Sequence, residues 1–151
     1  MSNVEQKLQA MGLKLPACPA PVAAYLPVQT AGKLIYASGQ TAWVDGKLLY
    51  AGKVGGDVSV ADAYESAKLS AVNCLSAIAT VADLDQIRIV RVHGWVNGVP
   101  DFGDQPAVVN GASELLEALY GEHGRHARSA IGVGSLPTNA SVEIELIAEK
   151  L

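Results

Sequence analysis

An apolar stripe with the 3.6-residue period of a helix begins directly after Ser59. Its members are Val60, Ala63, Tyr64, Ala67, Ala71, Cys74, Leu75, Ile78 and Ala82. The Ser59 hydroxyl can cap the first turn, and Asp62 places a negative charge near the helix N-terminus. The β-branched segment Gln86–Val96 follows and has the composition of a strand. A helix that is apolar on one face must bury that face, so the chain is constrained to pack this helix against a sheet.

The segments on either side predict the rest of the architecture. Before the helix the pattern is a short helix, two strands that form a hairpin around Ala31-Gly32, and a third strand after the turn at Asp45-Gly46. After Gln86–Val96 come a second long helix and two closing strands. The expected bounds are Asn3–Met11, Val22–Thr30, Lys33–Ser38, Leu48–Val54, Gln105–Tyr120, Ala127–Val133 and Ser141–Ala148. This order predicts an α+β fold in which residues 1–151 form one domain and two helices cover one face of a mixed sheet.

The composition argues against several classes of protein. Half of the 151 residues are apolar and 17% are charged, which is typical of a folded chain. The net charge of −4 argues against general nucleic-acid binding, and no stretch approaches the ~18 apolar residues of a membrane span. Cys18, Cys74 and the histidines lack metal-ligand spacing. We therefore expect a soluble, cytoplasmic protein with free thiols, and no metal, membrane or nucleic acid as partner.

The two closing strands alternate apolar and polar residues, and their pairing decides which residues share a face. If they form a hairpin, the register that buries both apolar sets pairs Arg128 with Glu143 or with Glu145. Arg128, Ala130 and Gly132 then lie with both glutamates on the face away from the helices. That face needs a cover, which predicts a homo-oligomer with these charges near a subunit seam. Judged from periodicity alone, a surface ion pair worth ~0–1 kcal/mol is favoured over a functional site for these charges.

Several short motifs follow one another along the chain. They are Tyr25-Leu26-Pro27-Val28, Ser38-Gly39-Gln40, Val109-Asn110-Gly111-Ala112, Ala127-Arg128-Ser129, Leu136-Pro137 and Val142-Glu143-Ile144-Glu145. Read together and in this order, they resemble the Rid (reactive intermediate deaminase, YjgF, endoribonuclease L-PSP) family. The resemblance covers roughly Pro16 to the C-terminus, and its closing block is the most specific part. An N-terminal helix and a lengthened loop from Gly121 to His126 depart from the shortest family members.

The resemblance implies a chorismate-mutase-like fold, assembled as a homotrimer with three clefts between subunits. It also implies hydrolysis of 2-aminoacrylate-type enamines and imines to 2-keto acids and ammonia, without a cofactor. Arg128 matches the family's carboxylate-binding arginine, and Ala130 stands where the best-known members carry a cysteine. The other matching site positions are Tyr25, Ser38, Gly39 through its backbone N–H, Asn110 and Glu143.

These residue types suit that chemistry. Arg128 can grip the carboxylate of a small 2-imino or 2-keto acid with two parallel hydrogen bonds, and Glu143 can orient or deprotonate the attacking water. Tyr25 and Ser38 can donate hydrogen bonds to the ligand or to water, and Asn110 can support the site from its helix. Structural roles remain open for each: Glu143 as a solvated strand residue, Tyr25 as a packed edge aromatic, and Asn110 as an ordinary helix residue.

Other functions are compatible with parts of the sequence. A non-catalytic binder or sensor of small 2-keto acids would use Arg128 in the same way. RNA cleavage or translation inhibition, an older label of the family, is disfavoured by the acidic balance and by the lack of interleaved basic and aromatic residues. Chorismate mutase-type chemistry needs several cations for a dicarboxylate, and beyond Arg128 only Arg125 or Arg91 is an obvious source.

Overall fold

The computed structural model describes all of residues 1–151 and contains three α-helices and seven strands. The helices are α1 (Asn3–Ala10), α2 (Val60–Ile78) and α3 (Gln105–Tyr120). The strands are β1 (Val28–Ala31), β2 (Leu34–Gln40), β3 (Trp43–Val44), β4 (Lys47–Leu48), β5 (Ile87–Asn97), β6 (Ala127–Val133) and β7 (Val142–Lys150). No helix combines the length and the apolar character that a membrane crossing demands.

Five strands form one mixed sheet in the order β1-β2-β7-β5-β6. The β1–β2 hairpin is antiparallel, and β7 lies antiparallel to both of its neighbours, β2 and β5. Strand β6 is parallel to β5, because α3 carries the chain from the end of one strand back to the start of the other. The predicted α+β fold with a mixed sheet is confirmed.

Helices α2 and α3 cover one face of the sheet and pack closely on each other. Ser59 caps α2 as expected, since its Oγ accepts a hydrogen bond from the Asp62 backbone N–H at 3.1 Å. The closest approach of the helices is at Gly111, where an added Cβ would lie 2.0 Å from the backbone oxygen of Tyr64. A continuous core of 30 buried residues fills the space between helices and sheet.

The predicted hairpin of the two closing strands is wrong. Strands β6 and β7 do not pair, because β5 lies between them. Each residue of β6 therefore shares a face with its parallel partner in β5, and Arg128 stands beside Val92, which is 0% exposed. Arg128, Ala130 and Gly132 consequently lie on the helix-bearing face of the sheet, whereas Glu143 and Glu145 lie on the opposite face.

The predicted third strand is also wrong in its position. The Asp45-Gly46 turn joins β3 and β4 into a two-stranded ribbon, with two residues in each strand, that is separate from the main sheet. In the rest of the predicted segment, up to Val54, only Val54 has strand-like pairing, in isolated bridges to Val58 and Gly98. In the same way, the strand predicted from Val22 begins only at Val28, since the proline-containing approach to it bends instead of pairing.

Candidate active site

Arg128 lies on the edge strand β6, where its half-buried side chain reaches α3. Its Nη1 donates to Asn110 Oδ1 at 2.8 Å and to Ser113 Oγ at 3.2 Å, and its Nη2 lies 3.5 Å from the Pro106 carbonyl oxygen. No carboxylate lies within ion-pair distance of this guanidinium. Neutral acceptors therefore hold Arg128 in place and leave its positive charge uncompensated, as an anion-binding group requires.

Two acceptors of Arg128, Asn110 and Ser113, border an open cleft of about 390 Å³ on the surface of α3, and this cleft is also lined by Glu114, Glu117 and Arg125. Asn110 and Ser113 are three residues apart on the helix and therefore face the same side. The cleft continues past Gly124 to His126, whose Nε2 lies 2.9 Å from Ser113 Oγ. Sequence reasoning missed Ser113 and His126. The available signals were the spacing of Ser113 from Asn110 and that of His126 from Arg128.

A second cluster forms on the other face of the sheet, where β2 meets β7. Strand β2 bulges between Ala37 and Gln40, and this irregularity contains both Ser38 and Gly39. The Glu143 carboxylate packs against Gly39 so closely that an added Cβ would lie 2.8 Å from its Oε2. Only glycine fits at position 39 without displacing that carboxylate.

Ser38 connects the bulge to the segment that carries Tyr25. Its hydroxyl donates to the carbonyl oxygen of Leu26 at 2.6 Å, and its backbone N–H donates to the carbonyl oxygen of Pro27 at 2.9 Å. The hydroxyl hydrogen is therefore committed within the chain, and the lone pairs of the Ser38 oxygen are what it offers to any further partner. Tyr25 itself is 56% exposed, so its phenol is accessible beside this cluster.

Burial raises the pKa of Glu143 above its ordinary range, and the negative charge of Glu145 two residues along the strand raises it further. The Glu143 carboxylate accepts no hydrogen bond and joins no ion pair within the chain. A half-buried carboxylate without such partners holds a proton more readily than a solvated one. Glu143 is consequently suited to accept a proton during a reaction.

The uncovered face of the sheet carries a polar network next to Glu143. Arg91 contacts the His93 ring and donates to Ser129 Oγ at 2.7 Å. His93 Nδ1 lies 3.6 Å from Glu145 Oε1. Exposed apolar side chains flank the network, with Ile131 50% exposed and Tyr36 41% exposed. Here Glu145 has a partner and Glu143 has none, which separates two glutamates that the sequence pattern did not distinguish.

The chain therefore divides the predicted site residues into two groups. Arg128 and Asn110 are together at the β6 edge on the helix-bearing face, whereas Ser38, Gly39 and Glu143 are together on the other face. Strand β5 separates β6 from β7, so the two groups do not meet within the chain. Ala130, which by the resemblance stands where the best-known family members carry a cysteine, packs against the core beside Gly94.

Comparisons with known proteins point to one family. A family model described as "YjgF/chorismate mutase-like, putative endoribonuclease" matches residues 5–150. Protein TCP17 of Trypanosoma cruzi is 37% identical over 150 residues, which cover 97% of this chain and 94% of that protein.

Two crystal structures are similar over nearly the whole chain. A protein of unknown function from Agrobacterium tumefaciens is 44% identical, with a TM-score of 0.91 over 99% of this chain and 93% of that one. A Shewanella oneidensis protein named "putative endoribonuclease" is 33% identical, with a TM-score of 0.91 over 97% of this chain and 98% of that one.

Proposed function

Because the chain belongs to the YjgF/chorismate mutase-like family, we propose that it hydrolyses 2-aminoacrylate-type enamines and imines to 2-keto acids and ammonia. The observation that carries the proposal is the Arg128 guanidinium, which neutral acceptors hold beside an open cleft. Both hydrogens of Nη1 are used by Asn110 and Ser113. Nη2 directs one hydrogen toward the Pro106 carbonyl oxygen, so Nε–H and the other Nη2 hydrogen remain for a ligand, and these two match the two oxygens of a carboxylate.

The reaction also needs a group that handles protons, and within one protomer Glu143 lies on the wrong face for this role. We propose that a second copy of the chain supplies it, so that each cleft combines Arg128 and Asn110 of one protomer with Ser38, Gly39 and Glu143 of its neighbour. The exposed apolar residues on the uncovered face, among them Ile131, are consistent with burial against a second copy. Three such clefts in a homotrimer would complete the assembly.

The chemistry follows from these placements. Arg128 binds the carboxylate and fixes the neighbouring protonated imine carbon, which is already electrophilic. A water oxygen bonds to that carbon, the C=N π electrons move to nitrogen, and Glu143 accepts the proton that the water loses. Glu143 returns this proton to the nitrogen. The hydroxyl then loses its proton to Glu143 while the C–N bond breaks, which gives the 2-keto acid, ammonia and a proton that leaves with the ammonia as ammonium.

The names of the family and of the Shewanella oneidensis relative raise RNA cleavage as another activity. The net charge of −4 argues against it, since affinity for a phosphate backbone depends on clustered Lys and Arg. Binding of 2-keto acids without catalysis would use the same arginine, and it differs from the proposal in leaving Glu143 without a role.

Turnover of freshly generated 2-aminoacrylate, measured as ammonia release, tests the proposal. Arg128→Ala should lower kcat/KM by a factor on the order of 100, and Arg128→Lys should recover little because an ammonium lacks the planar fork. Arg88→Ala is the matched control, since Arg88 forms a surface ion pair with Glu149. Wild-type activity in Arg128→Ala, with the oligomer intact, would contradict the proposal. Binding of 2-ketobutyrate without any turnover would favour the binder instead.

A further inference from the structure

A chain of hydrogen bonds leads from Arg128 away from the proposed ligand. Arg128 Nη1 lies 3.2 Å from Ser113 Oγ, and Ser113 Oγ lies 2.9 Å from His126 Nε2. The other ring nitrogen, Nδ1, lies 2.6 Å from the carbonyl oxygen of Gly124. The chain therefore has three links, and it ends on a backbone oxygen whose residue is buried.

The chemistry of each group fixes the direction of the protons. A carbonyl oxygen only accepts, so His126 Nδ1 carries a hydrogen and donates it to Gly124. In the neutral ring, Nε2 is then an acceptor, and the Ser113 hydroxyl donates to it. A hydroxyl that donates in one direction presents its lone pairs in the others, and Arg128 Nη1 donates to one of them. His126 thereby orients Ser113 as an acceptor for Arg128.

The loop before β6 brings His126 into this chain. Residues 121–124 form a 3₁₀ turn directly after α3, and the chain then reverses so that His126 enters the cleft beside the helix it has just left. Both Ser113 and Gly124 are thus fixed relative to α3, one on the helix and the other at its end. The three hydrogen bonds from Arg128 through Ser113 and His126 to Gly124 form a relay. This relay connects the edge strand β6 to α3 through side chains, in addition to the packing in the core.

We propose that Ser113 and His126 are positioning residues that set the orientation of the Arg128 guanidinium and thereby the affinity for the substrate carboxylate. The role of Ser113 and His126 in catalysis rests on the proposed function, whereas their effect on the orientation of Arg128 does not. The two remaining N–H donors of Arg128, one on Nε and one on Nη2, can match a carboxylate only while Nη1 stays engaged. Without the relay, Nη1 retains Asn110 alone and Nη2 retains only the long contact with the Pro106 carbonyl oxygen, so the guanidinium can rotate.

The variants His126→Ala, Ser113→Ala and their combination remove the relay in different places. His126→Gln is the conservative variant, because its Oε1 can accept from Ser113 as Nε2 does. His123→Ala is the matched control, since His123 is an exposed histidine of the same turn. Ser113→Ala deletes a single oxygen, so it supplies the test even if His126→Ala fails to fold.

Three measurements separate positioning from a general structural role. We expect His126→Ala and Ser113→Ala each to raise KM, and the Kd for 2-ketobutyrate, by about fivefold to tenfold with little change in kcat. The double variant should match the single ones, and His126→Gln should approach the wild type. Partial unfolding would instead lower the apparent kcat and leave KM unchanged.

Nuclear magnetic resonance of the ligand-free protein provides the third measurement. The side-chain N–H signals of Arg128, assigned by their loss in Arg128→Lys, should show slow guanidinium rotation in the wild type and in His126→Gln. They should show fast rotation in His126→Ala and Ser113→Ala. Unchanged rotation in both variants, or additive effects in the double variant, would overturn the relay. A wild type without turnover would refute the proposed function alone, because these signals need neither substrate nor catalysis.

Discussion

Two inactive variants should restore each other when their subunits are mixed. Arg128→Ala loses the carboxylate fork and keeps Glu143, whereas Glu143→Gln keeps the fork and loses the proton acceptor. The two residues lie on opposite faces of the sheet, with β5 between their strands. Under the proposed function, an active cleft therefore combines Arg128 from one protomer with Glu143 from its neighbour.

The size of the rescue follows from this geometry. In an equimolar random mixture, the subunit that supplies the Arg128 side of a cleft carries an intact Arg128 in about half of the clefts. The neighbour that supplies the Glu143 side carries an intact Glu143 in about half of them, independently of the first. About one quarter of the clefts are complete, so the mixture should reach about one quarter of wild-type activity. This fraction does not depend on the number of subunits in the ring.

The assay is ammonia release after the two variants are refolded together or expressed together. Mixing them without subunit exchange is the first control and should give no activity. The second control combines wild-type subunits with the double variant Arg128→Ala/Glu143→Gln. Shared clefts predict about one quarter of wild-type activity in that mixture, whereas clefts within one protomer predict about one half. Mixed assemblies of the two single variants that stay inactive would refute the shared cleft.

Further predictions concern the stability of the fold. Gly111→Ala should lower the free energy of unfolding by about 3 kcal/mol in urea denaturation, because its Cβ would meet the Tyr64 backbone, whereas Gly103→Ala, in open space, should have little effect. Ser59→Ala should cost about 1 kcal/mol in the same assay, through loss of the α2 cap. The raised pKa of Glu143 favours its protonated form in the folded state, so its stabilising contribution is present below the ordinary value of 4.5 and is lost as the pH rises through the folded value. Glu143→Gln should therefore be more stable than the wild type at about pH 7 and equal to it at about pH 4, and equal urea midpoints at both pH values would count against this reasoning.

The long elements of the fold were predictable from the sequence because their signals are local. The stripe from Val60 and the cap at Ser59 specify α2, and the run of β-branched residues specifies β5. The partners of the closing strands were not predictable from alternation alone. Alternation shows that a strand has two faces, but the crossing of α3 and the insertion of β7 between β2 and β5 decide which face each residue joins.

Some of the site residues were likewise predictable from the sequence, and others were not. Short motifs indicated Arg128, Asn110, Ser38, Gly39 and Glu143, and the structure gathers them into two clusters. The assignment of Arg128 to one face with the glutamates failed, because it depended on a hairpin that does not form. Ser113 and His126 carry no motif; Ser113 meets the arginine because α3 packs beside β6, and the folded loop after α3 brings His126 to Ser113.

The hydrogen bond from Ser38 to the Leu26 carbonyl has a consequence for how the proposed reaction ends. Because that hydrogen is already donated, the Ser38 oxygen of the proposed cleft would accept a hydrogen bond from a ligand, for example from the nitrogen of a protonated imine. In the product a ketone oxygen replaces that nitrogen. Two hydrogen-bond acceptors would then face each other and repel. Replacing nitrogen by oxygen would thus weaken binding of the product as soon as it forms, and the product would leave the cleft without a conformational change.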